Sequence, residues 1–331
     1  MKKFFKRIYL EWEKLNMRTK MLLSFSFSVI SILISLMLAL YYILMRHSTE
    51  QVLYSANQSY HQACSFLEQY YNTLLYASEL IYYNGDVQRI LTSNEFAHET
   101  NLGKRYREFL ILDQVMSSVE KNELICQSRI YIPDNIIYSD NMTHFAPLSS
   151  LKEREDFQLF DSPANTHKVC FMPPRDVVLP NNPFPTSQVS ILRRINSTDG
   201  NITELAVAEI SMQTRFILDL ISNANITRNG VAYLVNQQGQ TIGLSPDITD
   251  YPGYNASSDW DITLFQGKEC YMKSQEIFDS QWMFIAIIPL REINSQARQT
   301  QAVFLVSTLL AIIILFWTAK ILSDFYTRRI S

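Results

Sequence analysis

Between Met1 and Asn84 the chain contains no glycine and no proline. Nothing in the residue types of that stretch breaks or kinks a helix. Other absences narrow the chemistry. There is no G-x-S-x-G, no H-E-x-x-H and no P-loop, so the usual hydrolase, zinc-protease and nucleotide-binding signatures are missing. The four cysteines, Cys64, Cys126, Cys170 and Cys270, match no metal-ligand spacing. Each reads as a small buried apolar side chain, with a Cys126–Cys170 bridge as an alternative. The middle of the chain is short of positive charge. Residues 1–20 carry a net of +5 and the tail from Lys320 a net of +2, so a total of −3 leaves −10 between them. A nucleic-acid surface needs a basic middle, which removes that class of partner. No cofactor and no metal is expected.

What is present begins with two apolar runs. Residues 21–45 hold no charge and are bracketed by Lys20 and Arg46. About twenty apolar residues suffice to cross a bilayer core, so this run reads as a first transmembrane helix. The second, 302–319, is followed by Lys320, Ile321 and Leu322 and gives a span over 300–322. Lys and Arg concentrate outside both runs, which puts both termini in the cytoplasm and the acidic middle outside the cell. A cleaved signal peptide is excluded by the length of the first run, its charged lead and the missing cleavage site after Tyr42. Residues 1–20 form a basic cytoplasmic segment whose Phe4, Phe5, Ile8, Tyr9 and Trp12 oppose Lys and Arg, a pattern suited to lying on the inner leaflet.

Beyond Arg46 the helical pattern continues. Leu53, Ala56, Tyr60, Ala63, Leu67, Tyr70, Leu74, Ala77 and Ile81 recur at spacings of three and four. Two readings of this seam stand side by side: an amphipathic helix packed on its own domain, and a dimer interface of coiled-coil type. The helix, a stalk over 46–85, ends at Asn84 and Gly85, and Asp86 then caps a short helix through Leu91. A further helix covers 104–120. A hairpin follows, with a strand at 128–132, a turn at 133–135 and a return at 136–139. Residues 141–182 carry five prolines and read as loop, with one strand at 168–172. Strands at 187–195 and 202–210 pair around the Asp199 and Gly200 turn, and Ser211 caps a helix ending near Asn223. The second unit has strands at 231–235, 241–244, 270–277 and 282–288, with a loop between the second and third.

Two units of one kind, strung after a stalk helix between two spans, resemble a double Cache sensor. Specifically, the chain resembles the extracellular half of two-span, YesM-like sensor histidine kinases. It rests on the hairpin from Arg129 to Ser139, the strand and helix from Leu205 to Leu220, the hairpin from Tyr233 to Ile242, and the strand from Trp282 to Pro289. The resemblance implies an α+β fold in which two transmembrane helices flank an extracellular double Cache (PAS-like) domain. Its subdomains would be membrane-distal over 86–223 and membrane-proximal over 224–299. The stub at 323–331, with Thr327, Arg328, Arg329 and Ile330, is similar to the start of a HAMP linker, although Arg329 stands where that element has proline. No phosphoacceptor helix or ATP lid follows, so no catalytic domain is expected in these residues. A cytoplasmic kinase module would complete the receptor, as a missing segment or a separate chain. The resemblance also implies a homodimer in the cell membrane.

The first unit is the better place for a ligand, because its long loop region can cover one face of its sheet. Arg129 and Tyr131 share a strand face. Tyr138, Asp140, Phe157, Phe160, Asp161, Arg175 and Asp176 are the candidates to meet them, aromatics stacking on a ligand and Arg and Asp fixing its polar groups. The same residues would equally serve as ordinary core and surface pairs. The Arg-x-Trp-Tyr element of related amino-acid sensors is absent, which shifts the expectation toward a sugar-like or other small solute. A docked solute-binding protein is the alternative partner. Glu153 to Asp156 reads as a solvated helix start.

Overall fold

The computed structural model describes residues 17–92, 101–135, 143–161, 169–179, 182–196, 204–223, 229–245, 248, 252, 257–291, 293, 302–303, 305–314, 317–318 and 321. Contacts divide the chain into two compact units, one of residues Met1–Ser55 with Leu290–Ser331 and one of Ala56–Pro289.

In the first unit, Ser26–Ile43 has a mean hydropathy of 2.1 and is long and apolar enough to cross a membrane. It lies in helix α1, Met17–Tyr82, whose 66 residues are uninterrupted as the missing glycine and proline require. The second apolar run is described in part, as the ten-residue helix Leu305–Ile314.

The second unit holds two five-stranded sheets. In chain order its elements are α2 (Gly85–Thr92), α3 (Leu102–Val119), β1 (Gln127–Ile132), β2 (Phe145–Pro147), α4 (Leu148–Lys152), α5 (Phe157–Asp161), β3 (Val169–Leu179), β4 (Asn182–Asn196), β5 (Glu204–Gln213), α6 (Thr214–Asn223), β6 (Val231–Asn236), β7 (Thr241–Ile242), β8 (Ser257–Phe265), β9 (Lys268–Ile277) and β10 (Trp282–Pro289). The strand orders are β2-β1-β5-β4-β3 and β7-β6-β10-β9-β8. Each sheet therefore repeats one topology five strands later in the chain. They differ at the second strand, which runs parallel to β1 in one sheet and antiparallel to β6 in the other.

One stripe of α1 packs on both sheets. Ala56 is buried, and Tyr60, Ala63, Leu67, Tyr71, Leu74 and Ile81 are buried in a cluster shared with β1, β4, β5, β6 and β10. Low on the helix, the Tyr60 ring stacks on Phe284 at 5.0 Å and its hydroxyl donates to the Phe284 carbonyl at 2.8 Å. Higher up, Arg193 of β4 donates to Ser78 at 3.2 Å and lies 4.8 Å from the centre of the Tyr82 ring. The stripe from Ala56 onward is thus buried against its own sheets. Tyr71, not Tyr70, takes the core position, and Tyr70 is half-buried. A straight helix has 3.6 residues per turn, so a strict heptad drifts off the contact line, and the buried tyrosines fall at 60 and 71, an eleven-residue step.

Several expectations change. Asn84, not Asp86, caps α2, its side chain accepting from the backbone N–H groups of Asp86 and Val87 at 2.9 and 3.1 Å; Asn reaches these orphan donors as well as Asp does. Asn101 caps α3 in the same way. The free edge of β1 is taken by Phe145–Pro147 in parallel register, and the expected return strand at 136–139 lies outside the described residues. Much of the stretch read as loop is ordered: β3 runs straight through Pro173 and Pro174, with a register shift between Met172 and Arg175. It is an edge strand, where proline costs no ladder bond and bulges are tolerated. β8 was hidden in the expected loop before residue 270, although Trp260, Ile262 and Leu264 alternate. Ser211 continues β5, and α6 begins at Thr214. No disulfide joins Cys126 to Cys170.

Truncating Leu67 to Ala in the buried stripe is expected to cost about 2–5 kcal/mol in chemical denaturation, because the sheets cannot close over the void. Tyr76→Ala on the 64% exposed outer face should stay within about 0.5 kcal/mol.

Candidate functional site

Strand alternation divides the first sheet into two chemically different faces. On β5, Ala206, Ala208, Ile210 and Met212 join the α1 core, and the residues between them, Val207, Glu209 and Ser211, point to the other side. That far face carries a buried carboxylate. Glu209 is 2% exposed and is surrounded by donors from four segments. Its Oε1 accepts from Arg154 Nη1 at 2.8 Å, Ser190 Oγ at 3.0 Å and Arg175 Nη2 at 3.2 Å. Its Oε2 accepts from the Tyr131 hydroxyl at 2.7 Å. Burial alone would raise the Glu209 carboxyl, but Arg154 and Arg175 beside it, helped by the Tyr131 hydroxyl, hold it below the usual carboxylate range. The Tyr131 phenol moves the opposite way, raised by burial and by the Glu209 charge.

Arg154 follows α4 and is itself gripped from behind: its Nε and Nη2 donate to the two oxygens of Asp156 at 2.8 and 2.6 Å. This fork-on-fork pair fixes the guanidinium plane that meets Glu209. Around the polar group lies an apolar collar of Leu151, Phe157, Phe160, Met172, Leu192 and Val207. Arg194 sits 4.5 Å from the Phe160 ring centre and donates to Asp161 at 2.7 Å.

Of the residues singled out from the sequence, the fold brings Tyr131, Phe157, Phe160, Asp161 and Arg175 to this face. Arg129 joins them by register, opposite Glu209 on the neighbouring strand. Asp176 does not belong: it is exposed and follows Arg175 in the strand, so it takes the other side. Tyr138 and Asp140 lie outside the described residues. The sequence reading missed Glu209, Arg154, Asp156 and Ser190. A lone carboxylate inside the apolar strand Ala206 to Met212 was the available signal. The segment read as a solvated helix start is split, with Glu153 and Glu155 exposed while Arg154 and Asp156 turn inward, their side chains 11% and 15% exposed.

Among the described residues, the equivalent face of the second sheet shows no such buried carboxylate. There Tyr233, Val235, Phe265, Cys270, Met283, Ile285 and Ile287 form an apolar cluster.

The two sheets meet at the β9–β10 turn. Phe278, Asp279 and Ser280 all have left-handed backbones, with φ of 56, 53 and 61°. Each such residue costs on the order of 1 kcal/mol, so the surroundings must hold the turn. Asp279 accepts from the Tyr71 hydroxyl at 2.8 Å, and the Phe278 N–H donates to Glu68 at 2.8 Å. The Gln281 amide then bridges to β3, accepting from the Phe171 N–H at 2.8 Å and donating to the Val169 carbonyl at 2.9 Å. Trp282 Nε1 donates to the Phe171 carbonyl at 3.1 Å. The strand that carries Arg175 is thereby clamped to the start of β10.

A second polar cluster, centred on the buried His144, ties α3 and its C-cap Glu120 to the sheet edge. His144 Nδ1 lies 2.6 Å from Asp113 on α3 and its Nε2 3.3 Å from Glu120; Glu120 also accepts from the Ser128 N–H and hydroxyl. The Glu120 hydrogen bond, with Asp113, raises the imidazole above its ordinary 6.5 against the opposing pull of burial. A raised folded value means that the folded state binds more protons between 6.5 and that value. The imidazole's contribution to stability is therefore complete below pH 6.5 and lost as pH climbs through the folded value. Denaturation of the full chain should show that fall, and His144→Gln should flatten it. At the larger site, Glu209→Leu is expected to cost about 3–5 kcal/mol, because it leaves guanidinium charge buried without its counter-ion.

The chain matches no protein-family model and no curated protein. Among solved structures it is similar to the periplasmic sensory domain of the Campylobacter jejuni chemoreceptor Tlp1, with a TM-score of 0.50 and 12% identity over 75% of this chain and 98% of that one. It is also similar to the ligand-binding domain of Mlp24, solved with asparagine, at a TM-score of 0.47 and 10% identity over 76% of this chain and 99% of that one. A third is the extracellular domain of vpHK1S-Z8, described as a histidine kinase, at 0.45 and 13% over 76% and 96%. The fold is similar to that of the Tlp1 periplasmic sensory domain.

Proposed function

We propose that this chain is the sensor portion of a two-span membrane receptor, a double Cache domain that binds a small extracellular solute on the far face of its first sheet. The observation that carries this is Glu209. A buried carboxylate ringed by Arg154, Arg175, Tyr131 and Ser190 is a poor way to stabilise a sheet, since apolar residues of similar volume usually serve as well or better. The second sheet, with the same strand order, fills its equivalent face with apolar side chains. The difference suits a recognition surface.

A ligand drawn against Arg175 would pull on β3, and β3 is bonded through Phe171 to Gln281 and Trp282 at the head of β10. β10 leads at Pro289 into the segment before the second apolar run. In the receptor so read, α1 and that run are the two transmembrane helices, and the signal passes to a histidine kinase module in the cytoplasm of a homodimer, with no catalysis in the sensor itself. Moving such a receptor from mostly off to mostly on takes a differential affinity of about 5.5 kcal/mol, within reach of a few charge-assisted hydrogen bonds. A chemoreceptor output is the second reading, and the likeness to the Tlp1 sensory domain is what favours it.

Alkaline phosphatase fused after residue 150 should be active and, fused after residue 331, inactive. The reverse pattern would put the sensor domain in the cytoplasm and end the receptor reading.

A further inference from the structure

We infer that the far face of the first sheet is a seat for a small organic monoanion, whose carboxylate meets Arg175 and Arg129 while an adjacent donor group meets the Gln188 carboxamide. This rests on the sensor reading and narrows the ligand class within it.

The argument is an inventory of hydrogen-bonding capacity. A guanidinium offers five N–H donors. Arg154 has all three nitrogens committed, with Nε and Nη2 on Asp156 and Nη1 shared between Glu209 and the Tyr131 hydroxyl. Arg175 has not. It touches Glu209 through Nη2 alone, at 3.2 and 3.5 Å, and its side chain is 34% exposed, so a solute can reach its open edge. Arg129 stands in register opposite Glu209, and its Nε is buried with no hydrogen-bond partner among the described residues. Glu209 is not that partner: its Oε1 accepts from Arg154, Ser190 and Arg175 and its Oε2 from Tyr131.

Gln188 adds the second half. It is 3% exposed, and neither its Nε2 nor its Oε1 has a partner among the described residues. It lies on β4 directly across from Arg175 and shares a strand face with Ser190, which donates to Glu209. A buried amide with both atoms idle is rare in folded proteins and points to a partner from outside the chain. It wants one acceptor and one donor. The charges agree with an anion: Arg129, Arg154 and Arg175 face Glu209 and Asp156, so one positive charge is left over. A neutral polyol would leave that charge uncompensated, which sets this ligand class apart from a sugar. A bare carboxylate would leave Gln188 Oε1 without a donor, so the acid carries a hydroxyl or amide nearby.

Four matched probes separate the possibilities, tested by thermal unfolding and calorimetry on the full chain in detergent micelles at millimolar concentration. They are 3-hydroxybutyrate, butyrate, 1,3-butanediol and inorganic phosphate. Stabilisation should follow hydroxybutyrate above butyrate, with butanediol and phosphate inert. Arg175→Gln and Arg129→Gln should each weaken hydroxybutyrate by about tenfold or more. Gln188→Leu, which leaves no charge behind, should remove the advantage of hydroxybutyrate over butyrate and spare butyrate itself. The inference is overturned if neither acid binds, if phosphate binds as well as the acids, or if the three variants leave the order unchanged. Should butanediol or glucose bind instead, and lose binding in Glu209→Gln, the anion assignment falls while the sensor reading stands. Should no solute in a broad screen bind in a Glu209-dependent way, the sensor reading falls with it.

Discussion

Everything in the unit Ala56–Pro289 depends on burying one stripe of α1 beneath two sheets in succession. Neither sheet closes its own core. Ile130, Ile191 and Ile210 of the first and Leu234, Phe284 and Ala286 of the second share a single buried cluster with Tyr60, Leu67, Tyr71 and Leu74 of the helix. Each side chain of that size contributes about 1.5–3 kcal/mol by leaving water, so the helix is the common wall without which both inner faces would be exposed. Because the wall is shared, the sheets are held at fixed places along one rod.

That arrangement frees the outer faces for different uses. In the second sheet the outer face is closed with apolar residues, and in the first it carries a carboxylate held by two arginines, a tyrosine and a serine. The contrast is informative because the strand order is the same in both, so topology does not account for it. A group such as Glu209 has to be held by an exact set of donors, and any solute that competes for Arg175 rearranges bonds that reach three strands and α4 at once.

The β9–β10 turn gives that rearrangement somewhere to go. Three consecutive left-handed residues are held in place by Tyr71, Glu68 and the packing of Phe278 against Phe171 at 4.4 Å. Such a turn persists only because these partners fix it. The bonds from Gln281 and Trp282 to β3 make the movement of one sheet felt by the other.

The chain's periodicities specified many of its elements. The run without glycine or proline foretold the long helix, the three-and-four spacing picked out Tyr60, Leu67 and Leu74 as its buried line, and alternation gave β1, β4, β5, β6, β9 and β10. These are local properties, set by how side chains repeat along a helix or strand. The alternation of Trp260, Ile262 and Leu264 in β8 was a local signal passed over; the other losses were non-local. β3 passes through two prolines because it is an edge, and edges are defined by neighbours. Tyr131 and Arg175 could be nominated from their strands, yet the group they converge on, Glu209, looked like one acid in an apolar strand until β5 was placed between β1 and β4. The sequence determined which residues lie on one side of each strand, since that follows from a two-residue repeat. Only the tertiary structure decided which of those sides meet, because charge pairing between Arg154, Arg175 and Glu209 spans 34 residues or more of chain and exists only once the sheet has closed.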